Sequence, residues 1–166
     1  MKNINLSIIG CGDIAEFHIR AMRAAGFNIV AIAGRLNSKN VSSFAKKHNI
    51  SKVYQNPIDL IEDVSEWDAL LLLSPVSTIV DYLQLAVSYG KPILTEKPVA
   101  LDHLHLKDLI RYKNIRVAYN RRFYSGVAFS KRFVEDHPNS LIKVSIPEKR
   151  QDPDHNVNFP NRLPLG

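Results

Sequence analysis

Up to Tyr119 the chain repeats one order: a short apolar run, a polar turn, then a longer stretch with apolar residues three or four apart. Leu6-Ser7-Ile8-Ile9 reads as the first strand, and residues 29–33 as the second. Between them Ile14, Phe17, Ala21, Met22 and Ala25 fall on one helical face, with Gly26 where a C-terminal cap belongs. A helix from Ser38 or Asn40 to about His48, a short strand at Val53-Tyr54 and a brief helix over residues 57–63 follow. Residues 69–73 are the longest uninterrupted apolar stretch, the character of a parallel strand buried on both faces. Residues 78–89 are amphipathic, with Ile79, Tyr82, Leu83, Leu85 and Ala86 on or near one side and Gly90 closing the helix. Strand 92–95, helix 102–112 and strand 115–118 complete the series. Strands alternating with helices predict an α/β fold, a doubly wound parallel sheet.

The rhythm changes after Tyr119. Residues 127–135 read as a helix stopped near His137-Pro138, and residues 141–146 as a lone strand. Pro147, Pro153, Pro160 and Pro164 then occur among scattered Asn with no apolar period, a composition that forms no core by itself.

The junction of the first strand and helix carries the clearest chemistry. Gly10-Cys11-Gly12-Asp13-Ile14-Ala15 has the pattern G-x-G-x-x-A. A turn of this kind brings backbone N–H groups and a helix N-terminus against a dinucleotide diphosphate. Gly10 allows the sharp turn, Gly12 removes the side chain that would block the phosphates, and Ala15 lets the helix approach the strand. A merely structural glycine turn is the alternative.

Composition narrows the class. The 166 residues suit one ordinary domain with an appendage, and 45% hydrophobic with 23% charged residues fits a globular chain. No run approaches the length of a membrane span, and the N-terminus is too short and polar for a secretory signal. Cys11 is the sole cysteine, a small spacer between glycines, so a reducing cytoplasmic location is expected. The net charge of +6 is unevenly placed: no acidic residue lies between Glu16 and Asp59, where Arg20, Arg23, Arg35, Lys39, Lys46, Lys47 and Lys52 occur. A solvated helix face accounts for Lys46 and Lys47. Nucleic-acid binding is disfavoured, because no recognition motif accompanies the charge.

After the second strand an NAD site usually places a carboxylate for the ribose 2′-OH. Here the segment is Ala33-Gly34-Arg35-Leu36-Asn37-Ser38, without one. Arg35 suits a 2′-phosphate, with Asn37 and Ser38 as hydrogen-bonding neighbours, so NADP is expected over NAD; a solvated turn arginine is the alternative. Thr95-Glu96-Lys97-Pro98 follows a predicted buried strand, where ligands of doubly wound sheets lie, and an ammonium at Lys97 would hold a substrate hydroxyl. Read alone, Glu-Lys-Pro is also an ordinary exposed turn. Arg121 and Arg122, in Tyr119-Asn120-Arg121-Arg122-Phe123-Tyr124, would clamp an anion or ribose, or make salt bridges. His103 and His105, two apart, share no face, and no metal site is expected.

Gly10-x-Gly12-x-Ile14-Ala15 with His18, then Glu96-Lys97-Pro98, then Tyr119-Asn120-Arg121-Arg122-Phe123 resembles the Gfo/Idh/MocA family of NAD(P)-dependent oxidoreductases. The likeness runs over residues 2–146. It implies a Rossmann domain, residues 1–119, and a linker helix, first strand and irregular tail of a second α/β domain over residues 120–166. It implies hydride transfer at a carbinol of a sugar, nucleotide sugar or cyclitol, with Lys97 contacting nicotinamide ribose and substrate. Ser74-Pro75 resembles the family's loop beside the cofactor. The family often has His four residues beyond that proline, whereas this chain has Ile79, which is expected to remove a polar contact. Members continue into a sheet that supplies a catalytic histidine; His155 lies in the irregular tail and is no obvious replacement. Tyr119 and Tyr124 are equal candidates to carry the proton. The expectation is a chain that binds cofactor but turns substrate over poorly, because positioning contributes about 7–11 kcal/mol to such reactions. The alternative is a non-catalytic dinucleotide-binding or regulatory module that needs a partner chain. Self-association is expected where a docking face lies bare.

Overall fold

The computed structural model describes residues 4–145. Contacts divide the chain into two units, Met1–Asn120 and Arg121–Gly166. In the first, strands β1 (Asn5–Ile9), β2 (Asn28–Ala33), β3 (Lys52–Tyr54), β4 (Ala69–Leu72), β5 (Ile93–Thr95) and β6 (Ile115–Val117) form one sheet in the order β3-β2-β1-β4-β5-β6. Every pairing is parallel. This is the doubly wound arrangement expected from the alternation, with its order reversing between β1 and β4. Helices α1 (Asp13–Ala24), α2 (Val41–Lys47), α3 (Pro57–Glu62) and α4 (Val76–Ala86) make the crossovers.

Parallel strands covered on both faces must be apolar throughout, and β4, Ala-Leu-Leu-Leu, is buried at every position. Two apolar clusters flank the sheet. One gathers Ile9, Trp67, Leu72, Ile79 and Leu83; the other gathers Ile8, Ala15, Ile19, Ile32 and Leu71. Gly26, with φ +85, ends α1 as expected: its N–H reaches Arg23 O and that of Phe27 reaches Met22 O. Asn56 caps α3 by accepting from the N–H of Ile58, and Pro57 fills the first helical position.

Three expectations need correction. The face of α1 is displaced: Ala15 and Ile19 are buried, while Ile14 is 43% and Phe17 66% exposed and Ala21 and Ala25 are also exposed. The period was right and the phase was not, because Ala15 is set against the strand and everything four residues on follows it. Residues 102–112 are not an α-helix. They hold one 3₁₀ turn, His103–Leu106, then further turns, with N–H groups of His105, Lys107, Leu109 and Tyr112 each bonded three residues back. Leu106, Leu109 and Tyr112, three apart, pack on the core, and that is the 3₁₀ period rather than the α period. Residues 141–145 form no strand and pair with no described strand; Ile146 lies outside the described residues, as does the proline-containing tail with His155. Ile79 is 2% exposed among core residues.

The second unit contains α5 (Ser125–Asp136), longer than expected by two residues at its start and one at its end, with His137 as C-cap. It carries the exposed apolar residues Val127, Phe129 and Phe133.

Candidate functional site

β1 leads directly into the glycine turn, and its two glycines do different work. Gly10 has φ +116, and a Cβ there would lie 2.7 Å from the carbonyl carbon and oxygen of Leu73. Its N–H donates to Ala33 O at 2.8 Å, and the N–H of Leu73 donates to Ile9 O at 2.7 Å. Gly10 thus lets β1, β2 and β4 meet at their carboxyl ends. Gly12 is the N-cap of α1 with extended backbone, and a Cβ there would meet nothing within 4 Å. The open space lies outside the protein's own packing.

A helix leaves its first N–H groups without intrahelical partners, and a side-chain cap normally takes one. Here Gly12 offers none. Ala15 N–H bonds back to Gly12 O at 2.9 Å, but among the described residues no group accepts from the N–H of Cys11, Gly12, Asp13 or Ile14. These amides carry the positive end of α1. Asp13 and Ile14 therefore contribute through backbone, and Ala15 through its close packing.

The loop after β2 folds beside this turn. Ser38 N–H donates to Arg35 O at 2.8 Å, Asn37 has φ 59, and Ser38 Oγ stands 4.0 Å from Cys11 Sγ. Arg35 is exposed. Three other cations of the acid-free stretch have structural partners: Arg23 donates to His48 O, Lys47 pairs with Glu16, and Lys52 pairs with Asp63 and Glu66. The hydrogen bond from Lys47, then that from His48, holds the Glu16 carboxyl below its usual range. Arg35 and Lys39 are the cations of the loop that folds beside the glycine turn.

Beyond β4, Ser74 is 8% exposed and its buried Oγ has no partner among the described residues, while Pro75 is the N-cap of α4. A buried hydroxyl left without a partner is costly unless something else supplies one. Beyond β5, Glu96 N–H donates to Leu72 O at 2.9 Å, placing Glu96-Lys97 at the carboxyl edge of the sheet. One Glu96 oxygen, Oε1, lies 2.8 Å from His18 Nε2, and the other accepts from Lys97 N–H at 3.0 Å. The Lys97–Pro98 peptide is cis and Lys97 is exposed. The His18–Glu96 contact is the feature that sequence reasoning missed. Its partners are 78 residues apart, and no local spacing announces it.

Arg122 belongs to the second unit, exposed in the 3₁₀ turn Asn120–Phe123 with its guanidinium 5.2 Å from the Phe123 ring centroid. Tyr119 and Tyr124 are each 57% exposed. Among the described residues no group of His, Cys, Asp or Glu is placed to hold a metal ion, and no helix is long and apolar enough to cross a membrane.

Against this geometry, a family model described as an oxidoreductase family with an NAD-binding Rossmann fold matches residues 4–124. The chain belongs to the Gfo/Idh/MocA oxidoreductases. Among curated members it is similar to the rhizopine catabolism protein MocA of Rhizobium meliloti, 31% identical over 128 residues, covering 74% of this chain and 39% of that one. It is also similar to inositol 2-dehydrogenase of Paracoccus denitrificans, 26% identical over 150 residues, covering 85% and 44%. The chain therefore spans less than half the length of these Gfo/Idh/MocA relatives. Among solved structures, myo-inositol dehydrogenase from Lactobacillus casei, in complex with NAD(H) and myo-inositol, shares the fold with a TM-score of 0.74. It is 22% identical, and the match covers 81% of this chain and 42% of that one.

Proposed function

We propose that this chain is the NADP(H)-binding part of an oxidoreductase that moves hydride between nicotinamide and a carbinol or carbonyl carbon of a sugar, nucleotide sugar or cyclitol. One observation carries the reading: the N–H groups of residues 11–14 have no acceptor among the described residues, beside the open face of Gly12. A diphosphate satisfies such amides and the positive helix end together. The buried Ser74 hydroxyl without a partner fits a polar ligand at the same edge of the sheet. Myo-inositol and NAD(H) in the solved relative, and the names of the curated relatives, support the substrate class.

The bound nicotinamide would supply the carbon that gives or takes hydride. The chain's own residues bind and orient. Gly10, Gly12 and the start of α1 receive the diphosphate, Ser74, Pro75 and Glu96 border the cofactor, and Lys97 holds the substrate hydroxyl. A 2′-phosphate pairs with Arg35, near Ser38, in a loop that has no carboxylate to favour the 2′-OH of NAD. A hydrogen bond to a charged group contributes about 1.5–3 kcal/mol, so Arg35→Ala is expected to weaken NADPH binding roughly 10- to 100-fold. NADH affinity should stay within a factor of about two, a change of under 1 kcal/mol. Fluorescence titration of both cofactors into parent and variant measures this. Equal losses for the two remove the 2′-phosphate role, and no binding by the parent removes the whole reading.

A further inference from the structure

Lys97 has no side-chain hydrogen bond or ion pair with any described residue, so its direction is set by its backbone alone. That backbone is held from one side by Glu96, whose carboxylate accepts the Lys97 N–H at 3.0 Å. The carboxylate is in turn held by His18, 2.8 Å from its other oxygen, with the two side chains only 13% and 16% exposed. His18 lies on α1, the helix whose first amides face the glycine turn. One side chain therefore ties the two chemically distinct parts of the site, the diphosphate turn after β1 and the lysine turn after β5, across the intervening β4.

We infer that His18 is a positioning residue: through Glu96 it fixes the Lys97 turn to α1, so that occupancy of the glycine turn and the placement of Lys97 are coupled. The inference rests on the functional reading above. The contact between His18 and Glu96 is sheltered from solvent on both sides, so it is worth more than a surface pair. Without His18, the Glu96 carboxylate keeps one partner and a half-buried charge. Its cheapest relief is rotation toward water, which releases the Lys97 N–H. Lys97 itself would remain on the chain but no longer aimed.

Backbone amide NMR on the whole chain tests this without requiring turnover. In the parent, adding NADPH should shift the amides of Cys11, Gly12, Asp13 and Ile14, and also that of Lys97. In His18→Ala the first group should still shift and Lys97 should not, and its amide should exchange with solvent about tenfold faster. His18→Gln, whose amide nitrogen donates to Glu96, should restore the Lys97 response, a rescue that a merely space-filling role does not predict. Glu96→Ala provides a second route to the same loss if His18→Ala fails to fold. A Lys97 response unchanged in both alanine variants overturns the inference while leaving cofactor binding intact. Absence of any shift at residues 11–14 in the parent instead overturns the functional reading itself.

Discussion

The turn after β1 presents backbone at the carboxyl edge of the sheet, whereas the turn after β5 presents side chains. At the end of β1 the site is a turn that only glycine can make and a row of amides that any sequence would carry. At the end of β5 Lys97 stands exposed beside Glu96, whose carboxylate accepts the Lys97 N–H and meets His18 of α1. Backbone sites are written locally, because the strain of φ +116 at Gly10 and the Leu73 carbonyl 2.7 Å from its missing Cβ leave no other residue. Side-chain sites depend on partners brought together by the fold, and their logic is invisible until the fold is known.

Substituting the two glycines separates structure from binding most sharply. Gly10→Ala places a Cβ against backbone in a left-handed conformation and should cost about 2–5 kcal/mol, read as a lower urea midpoint. Gly12→Val meets open space in the protein, so its urea midpoint should match the parent's while binding of NADPH and NADH becomes undetectable. If Gly10→Ala is as stable as the parent, the close approach of β1 and β4 is wrong. Retained affinity in Gly12→Val would remove the diphosphate from this turn.

The same contrast explains what was legible in the residues. Every strand of the sheet was anticipated, since continuous apolar runs such as Ala69–Leu72 need no partner to be recognised. The sharp turn at Gly10 was also anticipated, and there the backbone has φ +116. The buried face of α1 was misplaced by one residue: Ile14 and Phe17 are more apolar than Ala15, yet Ala15 is the one small enough to touch the sheet. The tie between His18 and Glu96 lay beyond any window of sequence.

The 102–112 segment offers a smaller but cleaner test on the β4-β5-β6 side. Its leucines look alike in sequence, yet Leu109 is 6% exposed and Leu104 50%. If turns with a three-residue period hold this segment, Leu109→Ala should cost about 2–3 kcal/mol, toward the low end for a buried leucine because its neighbours Leu106 and Tyr112 are only partly covered. Leu104→Ala should stay within about 0.5 kcal/mol. Equal costs would mean that the segment packs with α-helical spacing after all.

The smallest effect concerns the outer edge of the other half. β3 is tied to the end of α3 by polar contacts: Asp63 accepts from Tyr54 at 2.6 Å and from Lys52 at 2.9 Å, and Lys52 also reaches Glu66. The Tyr54 hydroxyl first, then Lys52 and Ser65, lower the Asp63 carboxyl from its ordinary 3.8 to about 2. A depressed carboxyl stabilises the folded form above its unfolded value, and that contribution disappears as pH falls from about 4 through 2. Asp63→Asn removes the ionisation, so the parent's advantage over it in urea should be present at neutral pH and close across that window. Because the group is solvent-exposed, the gap is small and should shrink further in high salt. Among the described residues the β6 edge has no comparable carboxylate: Arg116 donates to the carbonyls of Lys113 and Ile115. Acid should therefore loosen β3 before β6, a sequence visible as earlier loss of the Lys52–Tyr54 amide signals; simultaneous loss would mean that the two edges are held alike.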